Sequence, residues 1–152
     1  MITKRVLFLC LHNSGRSQIA EAYLTKFGGE NFIAESAGFE SKPINPLVIH
    51  VLKEDGIDIS EKDTKAVFSL FKEGRIYHYV IRVCNIAAKE QCPIYPTMAE
   101  MIDWSFEDPS KVTGSDVEKL DKIRQIRDEI KKQILSFIEV IHPKSLISNK
   151  LK

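Results

Sequence analysis

This 152-residue chain has no apolar run of the roughly 20 residues that a membrane-spanning helix needs. The short stretch Val6 to Leu11 follows Lys4 and Arg5 but reaches no small-residue cleavage site, so it does not read as an export signal, and a cytoplasmic location is expected. A charge of one sign is missing too. With 22 Lys and Arg against 21 Asp and Glu, the net charge is +1, which gives no electrostatic reason to expect nucleic acid or an acidic membrane as a partner. Cysteine is scarce. The three present, at positions 10, 84 and 92, are too few and odd in number for a secreted disulfide framework, and in a reducing compartment they are catalytic or inert. Seven Gly and six Pro beside 43% hydrophobic residues exclude collagen-like and disordered classes. The length suits one domain, expected over residues 1–142 and followed by a polar tail, 143–152.

What is present alternates between two periods. Arg5 to Leu9 is a short Val/Leu/Phe-rich run, and from Ser17 onward Ile19, Ala20, Tyr23, Leu24 and Phe27 recur as one helix face until Gly28-Gly29. A second apolar run, Asn31 to Ala34, ends at Ser36-Ala37-Gly38. Pro43 and Pro46 then bracket the start of a helix carrying Leu47, Val48, Val51 and Leu52, which Gly56 ends. Ala66 to Phe71 reads as helical and Tyr79 to Val83 as a third strand, closed by Cys84. Met101 to Trp104 is a candidate fourth strand. Val117 to Ile141 is one long amphipathic helix, with Leu120, Ile123, Ile126, Ile130, Ile134, Phe137, Ile138 and Ile141 at spacings of three and four. Strands alternating with helices predict an α/β fold with a parallel sheet and right-handed crossovers. Ligands then bind at the carboxyl ends of the strands.

The loop after the first strand reads Cys10-Leu11-His12-Asn13-Ser14-Gly15-Arg16-Ser17. A loop that curls into a helix N-terminus aims successive N–H groups at one spot, where the helix dipole adds about half a positive charge. Leu11, His12, Asn13, Ser14, Gly15 and Arg16 are therefore the candidate oxyanion cradle. Arg16 adds a planar fork of donors that fits a tetrahedral anion, and the same field favours a Cys10 thiolate, which Ser17 can hydrogen-bond. Asn13, Ser14 and Gly15 suit the tight, left-handed turns of such a cradle. Zinc-like spacing is missing, because Cys84 and Cys92 have seven residues between them, so no metal is expected. His50, His78 and His142 read as surface or packing residues.

Taken together, VLFLCLHNSGRSQIAEAYL (Val6 to Leu24), ESAGFES (Glu35 to Ser41), INPLVIHVLKEDGIDIS (Ile44 to Ser60), Cys84 with Cys92-Pro93, DWSFEDPS (Asp103 to Ser110) and IRQIRDEIKKQI (Ile123 to Ile134) give the chain its family likeness. It resembles the low-molecular-weight protein tyrosine phosphatase superfamily and, within it, the thioredoxin-coupled arsenate reductases. The resemblance implies a three-layer flavodoxin-like (phosphotyrosine protein phosphatase I-like) fold with a four-stranded parallel sheet. It also implies Cys10 as nucleophile, Arg16 as oxyanion ligand and Asp108 as general acid.

Phosphatase and reductase chemistry begin alike, with Cys10 attacking the central atom of a bound oxyanion. An arsenic(V) adduct can then be attacked at Cys10 by a second thiol, which releases arsenite and leaves a disulfide. The expected relay runs from Cys10 to Cys84 and then to Cys92, regenerated by thioredoxin or a similar thiol donor. Disulfide-bonded Cα atoms lie within ~7 Å, whereas eight helical residues rise ~12 Å, so Asn85 to Gln91 is expected to be mobile. Trp104 and the absence of adjacent tyrosines after Asp108 favour the reductase. Some relatives bind potassium behind the loop, where Asn13, Glu21 and Ser36 match. Lys65 stands where an acidic ligand would be, so its ammonium is expected to replace the ion and no cofactor to be needed. The alternatives left open are a low-molecular-weight tyrosine phosphatase working through a phosphocysteine, with Tyr95 or Phe39 as an apolar wall, and a cysteine phospho-carrier or oxyanion-binding module. The active unit is expected to be a monomer.

Overall fold

The computed structural model describes residues 2–84 and 98–143. Cys92, the segment from Asn85 to Gln91, Tyr95, and the tail beyond Pro143 lie outside the described residues. Four parallel strands, β1 (Lys4–Cys10), β2 (Phe32–Gly38), β3 (Tyr79–Arg82) and β4 (Glu100–Asp103), form one sheet in the order β2-β1-β3-β4. The four helices are α1 (Arg16–Gly28), α2 (Pro46–Glu54), α3 (Val67–Lys72) and α4 (Asp116–Ile141). This is the α/β architecture expected from the sequence, with the third and fourth strands each ending one residue earlier than their apolar runs.

Burial explains why β1 does not alternate. Val6, Phe8 and Cys10 enter the main core with α1 and α4, while Leu7 and Leu9 enter a smaller cluster on the other face with Ala37, Leu70, Tyr77 and Val80. A strand covered on both faces needs apolar residues at every position. That second face is pinned by a polar knot, in which the buried Glu35 takes Tyr77 Oη and pairs with Arg5 and Arg75. Burial alone would raise the Glu35 carboxyl. Hydrogen bonds from Tyr77 and Arg75 and the charges of Arg75 and Arg5 instead hold it below its ordinary value.

Helix ends follow local chemistry. Asn45 caps α2, accepting from Leu47 N, with Pro46 at the first helical position. Ser115 and Glu118 form a capping box that starts α4 one residue before its apolar stripe. The stripe Ile123, Ile126, Ile130, Ile134, Phe137 and Ile138 is buried, so α4 is held by its apolar face. Arg124 and Arg127 clamp it to Glu54 of α2. A forked ion pair joins the last residues of β3 and β4, Arg82 to Asp103 at 2.6 and 2.8 Å. Among the described residues no helix is long and apolar enough to cross a membrane.

Candidate active site

The loop from Leu11 to Gly15 joins β1 to α1, at the carboxyl end of an inner strand where this architecture binds ligands. Its carbonyls are turned outward and held. Cys10 O accepts from Phe39 N (3.2 Å), Leu11 O from Glu40 N (3.1 Å), His12 O from Lys42 N (3.2 Å) and Ser14 O from Asn45 N (2.9 Å). In a planar trans peptide the N–H points opposite to its carbonyl, so the N–H groups of Leu11, His12, Asn13 and Gly15 turn inward. Gly38 permits this close approach. A Cβ there would lie 2.5 Å from Asn13 N and 2.6 Å from His12 C.

Asn13 is fully buried and has a left-handed backbone, φ 55°, a conformation that Asn tolerates when its side chain is bonded locally. Its Oδ1 accepts from Gln18 Nε2 (3.1 Å) and Lys65 N (2.8 Å), and its Nδ2 donates to Ser17 Oγ at 2.8 Å. Ser17 Oγ, already an acceptor there, has its own proton left for Cys10 Sγ, 2.8 Å away. Asn13 N also donates to that sulfur, at 3.2 Å. Cys10 is free, 3% exposed, and arranged as a hydrogen-bond acceptor.

Arg16, the first residue of α1, is 3% exposed. Its Nη1 donates to Phe106 O at 3.0 Å, and its Nη2 lies 3.6 Å from Asp108 Oδ2. Asp108 opens the 3-10 turn Pro109–Lys111, and its Oδ1 accepts from both Ser110 N and Ser110 Oγ at 2.9 Å. Phe106 N donates to Cys84 O at 3.3 Å, so Phe106 links Arg16 to Cys84. Leu9 pairs with Arg82 and accepts from Val83 N, which puts Cys84 just past the end of β3, beside the end of β1. Cys84 is 1% exposed and disulfide-bonded, with its partner outside the described residues.

The structure therefore brings Cys10, the cradle residues, Arg16, Ser17, Asp108 and Cys84 to one end of the sheet. Four residues that build this site carry no role in the sequence reading. Gln18 and Lys62 support the cradle from behind, and Phe106 and Ser110 hold Arg16 and Asp108. Only Ser110 had a signal, since a Ser two places after an Asp is an Asx-turn partner. Gln18 also donates to Asn13 O and Asp63 O, and its buried Oε1 has no hydrogen-bond partner among the described residues.

Behind the cradle, Ser36 Oγ donates to Glu21 Oε1 at 3.0 Å and Lys62 Nζ pairs with Glu21 Oε2. The ammonium that meets Glu21 is thus that of Lys62, whereas Lys65 reaches Asn13 through its backbone N–H. Burial, and then the charge of Lys65, favour loss of the Lys62 proton and bring it down to about 8. These residues do not fit a potassium ion, because Asn13 Oδ1 already has two donors and both Glu21 oxygens are taken. Among the described residues no three His, Cys, Asp or Glu gather closely enough to hold a metal.

A buried free cysteine whose sulfur accepts hydrogen bonds, an arginine six positions later and an inward-facing ring of N–H groups on a parallel α/β sheet are the arrangement of a cysteine-based, oxyanion-handling class of enzyme. Residues 5–147 match the family described as low molecular weight phosphotyrosine protein phosphatase, and the chain belongs to that family. It is 39% identical over 140 residues to an arsenate reductase of Halalkalibacterium halodurans, covering 91% of this chain and 98% of that one. Among solved structures it is similar to an arsenate reductase in the phosphate-binding state, with TM-score 0.72 and 29% identity over 91% of this chain and 99% of the other. It is also similar to the thioredoxin-dependent arsenate reductase of Corynebacterium glutamicum, with TM-score 0.67 and 33% identity, covering 92% of this chain and 62% of that one.

Proposed function

We propose that this protein reduces arsenate to arsenite through a relay of Cys10, Cys84 and Cys92, with thioredoxin or a similar dithiol returning it to the reduced state. Arsenate sits in the ring of inward N–H groups under the Arg16 fork. The Cys10 thiolate attacks arsenic, forming an S–As bond as Asp108 gives its proton to a departing oxygen, which leaves as water. Cys84 thiolate then attacks Cys10 Sγ. The S–As bond breaks with its electron pair passing to arsenic, which falls from As(V) to As(III) and leaves as arsenite, while Cys10 and Cys84 form a disulfide. Cys92 attacks Cys84 Sγ and frees Cys10. The donor reduces the Cys84–Cys92 disulfide with two electrons and is itself oxidised.

The observation that carries this reading is the juxtaposition at the strand ends. Cys84 follows β3 directly beside the sulfur-bearing end of β1, and Cys10 is free while Cys84 is disulfide-bonded, the pattern the relay leaves after its last exchange. Every group of the first step belongs to one chain, so the unit acts as a monomer. The thiol chemistry requires the reducing cytoplasm.

A phosphatase acting through phosphocysteine is the second reading. It is favoured by Phe39, which is 62% exposed, follows β2 and donates its N–H to Cys10 O, offering an apolar wall beside the cradle. One substitution separates the two. Cys84→Ser should abolish thioredoxin-coupled NADPH oxidation with arsenate and leave hydrolysis of an aryl phosphate within about twofold of the parent. Arsenate reduction that persists in Cys84→Ser would remove the relay.

A further inference from the structure

The two carboxylate oxygens of Asp108 have different surroundings. Oδ1 accepts from Ser110 N and from Ser110 Oγ, each at 2.9 Å, and these two donors use both of its in-plane lone pairs. Oδ2 faces Arg16 Nη2 across 3.6 Å, beyond hydrogen-bonding distance, on the side of the cradle. We propose that Ser110 is a positioning residue for the acid step. By holding Oδ1 as a pure acceptor, it places the transferable proton of Asp108 on Oδ2, where the departing oxygen of the substrate lies.

This inference rests on Asp108 being the general acid and adds the question of which oxygen carries the proton. A turn cap alone does not account for the geometry. The backbone N–H of Ser110 already satisfies Asp108 as the cap of Pro109–Lys111, so the hydroxyl is a second donor to the same atom. Pro109 packs against Gly15, where a Cβ would come within 3.3 Å of Pro109 Cγ. Arg16 is the charged group facing Asp108 from α1, and Glu107 and Lys111 flank it on its own loop. Without the hydroxyl, the proton is shared between an oxygen that faces the substrate and one that faces Ser110 N.

The test is the pH profile of kcat/KM for arsenate in the full chain, comparing parent, Asp108→Asn, Ser110→Ala and Ser110→Thr. Ser110→Gly replaces the alanine variant if that one does not fold. Arsenate's own ionisation is common to all four and divides out of the ratios. Removing the hydroxyl should lower kcat/KM about tenfold near neutrality, with most of the loss in kcat and KM within about twofold of the parent. Threonine, which keeps the hydroxyl, should restore the parent profile to within about twofold. A loss that falls on KM alone, or one that threonine does not restore, would reduce Ser110 to a turn former and overturn the inference. If Asp108→Asn keeps the parent rate, the acid reading itself fails and the role of Ser110 falls with it.

Discussion

Replacing Lys62 with Met should expose how much of the cradle depends on an internal cation. Glu21 has a side chain only 6% exposed, and among the described residues the Ser36 hydroxyl is the hydrogen-bond donor left to it without Lys62. Breaking a fully buried ion pair costs about 3–5 kcal/mol, because one charge is stranded. The Lys62 side chain is 39% exposed, so solvent screens part of this and about 1–3 kcal/mol is the reasonable range. For a domain of this size each kcal/mol moves Tm by about 2–4 °C, which gives a fall of roughly 2–12 °C in calorimetry at pH 7. The loss should reach the site. The loop carrying Lys62 also supplies Lys65 N to Asn13 Oδ1 and Asp63 O to Gln18, so arsenate turnover should fall with stability. Adding Glu21→Gln removes the stranded charge, and the double variant should melt higher than Lys62→Met alone. In Lys62→Ala, where space opens beside Glu21, potassium should stabilise the fold more than sodium, by up to about 1.4 kcal/mol at ten times its Kd, read as a higher Tm. Additive single and double variants, with a coupling below about 0.5 kcal/mol, would refute the reasoning.

Two other perturbations address neighbouring links. Arg16→Lys keeps the charge but loses the fork that reaches Phe106 O with one nitrogen and faces Asp108 with the other, so kcat/KM for arsenate should fall by about 10²–10³, the loss typical of a preorganised oxyanion donor; a change under threefold would contradict the assignment. Glu54, clamped first by hydrogen bonds from Arg124 and also by Arg127, is held down to about 2. Its unfolded counterpart titrates near the ordinary carboxylate value. Its stabilisation is therefore complete above about pH 4.5 and is lost as pH falls toward 2, so Glu54→Gln should flatten that part of the acid-denaturation curve and leave stability at pH 7 less sensitive to further acidification.

The sheet, the helix faces and the cradle were legible because each is written in a local period or spacing. The β1 run, the stripe of α4 and the Cys10 to Arg16 loop need no distant partner to be recognised. Asp108 was legible only through family likeness, since an Asp before Pro is by itself a turn former. The supporting residues were hidden for a different reason. Lys62 reaches Glu21 from 41 positions away and Phe106 reaches Arg16 from 90, and no pattern along the chain encodes such pairings. The Lys65 expectation went astray for the same cause. Side chain and backbone of one loop were both candidates for the cradle, and only the folded path shows that Lys65 uses its N–H while the ammonium comes from Lys62.

The central claim is that Cys10 and an inward-facing ring of donors receive one tetrahedral oxyanion. The rate of iodoacetamide alkylation at Cys10, followed by mass spectrometry of the intact reduced chain over a range of phosphate concentrations, tests it most directly. The account predicts saturable protection of Cys10 that disappears in Arg16→Ala, while alkylation of the other two cysteines is indifferent to phosphate. Alkylation of Cys10 at the same rate with and without saturating oxyanion would contradict it.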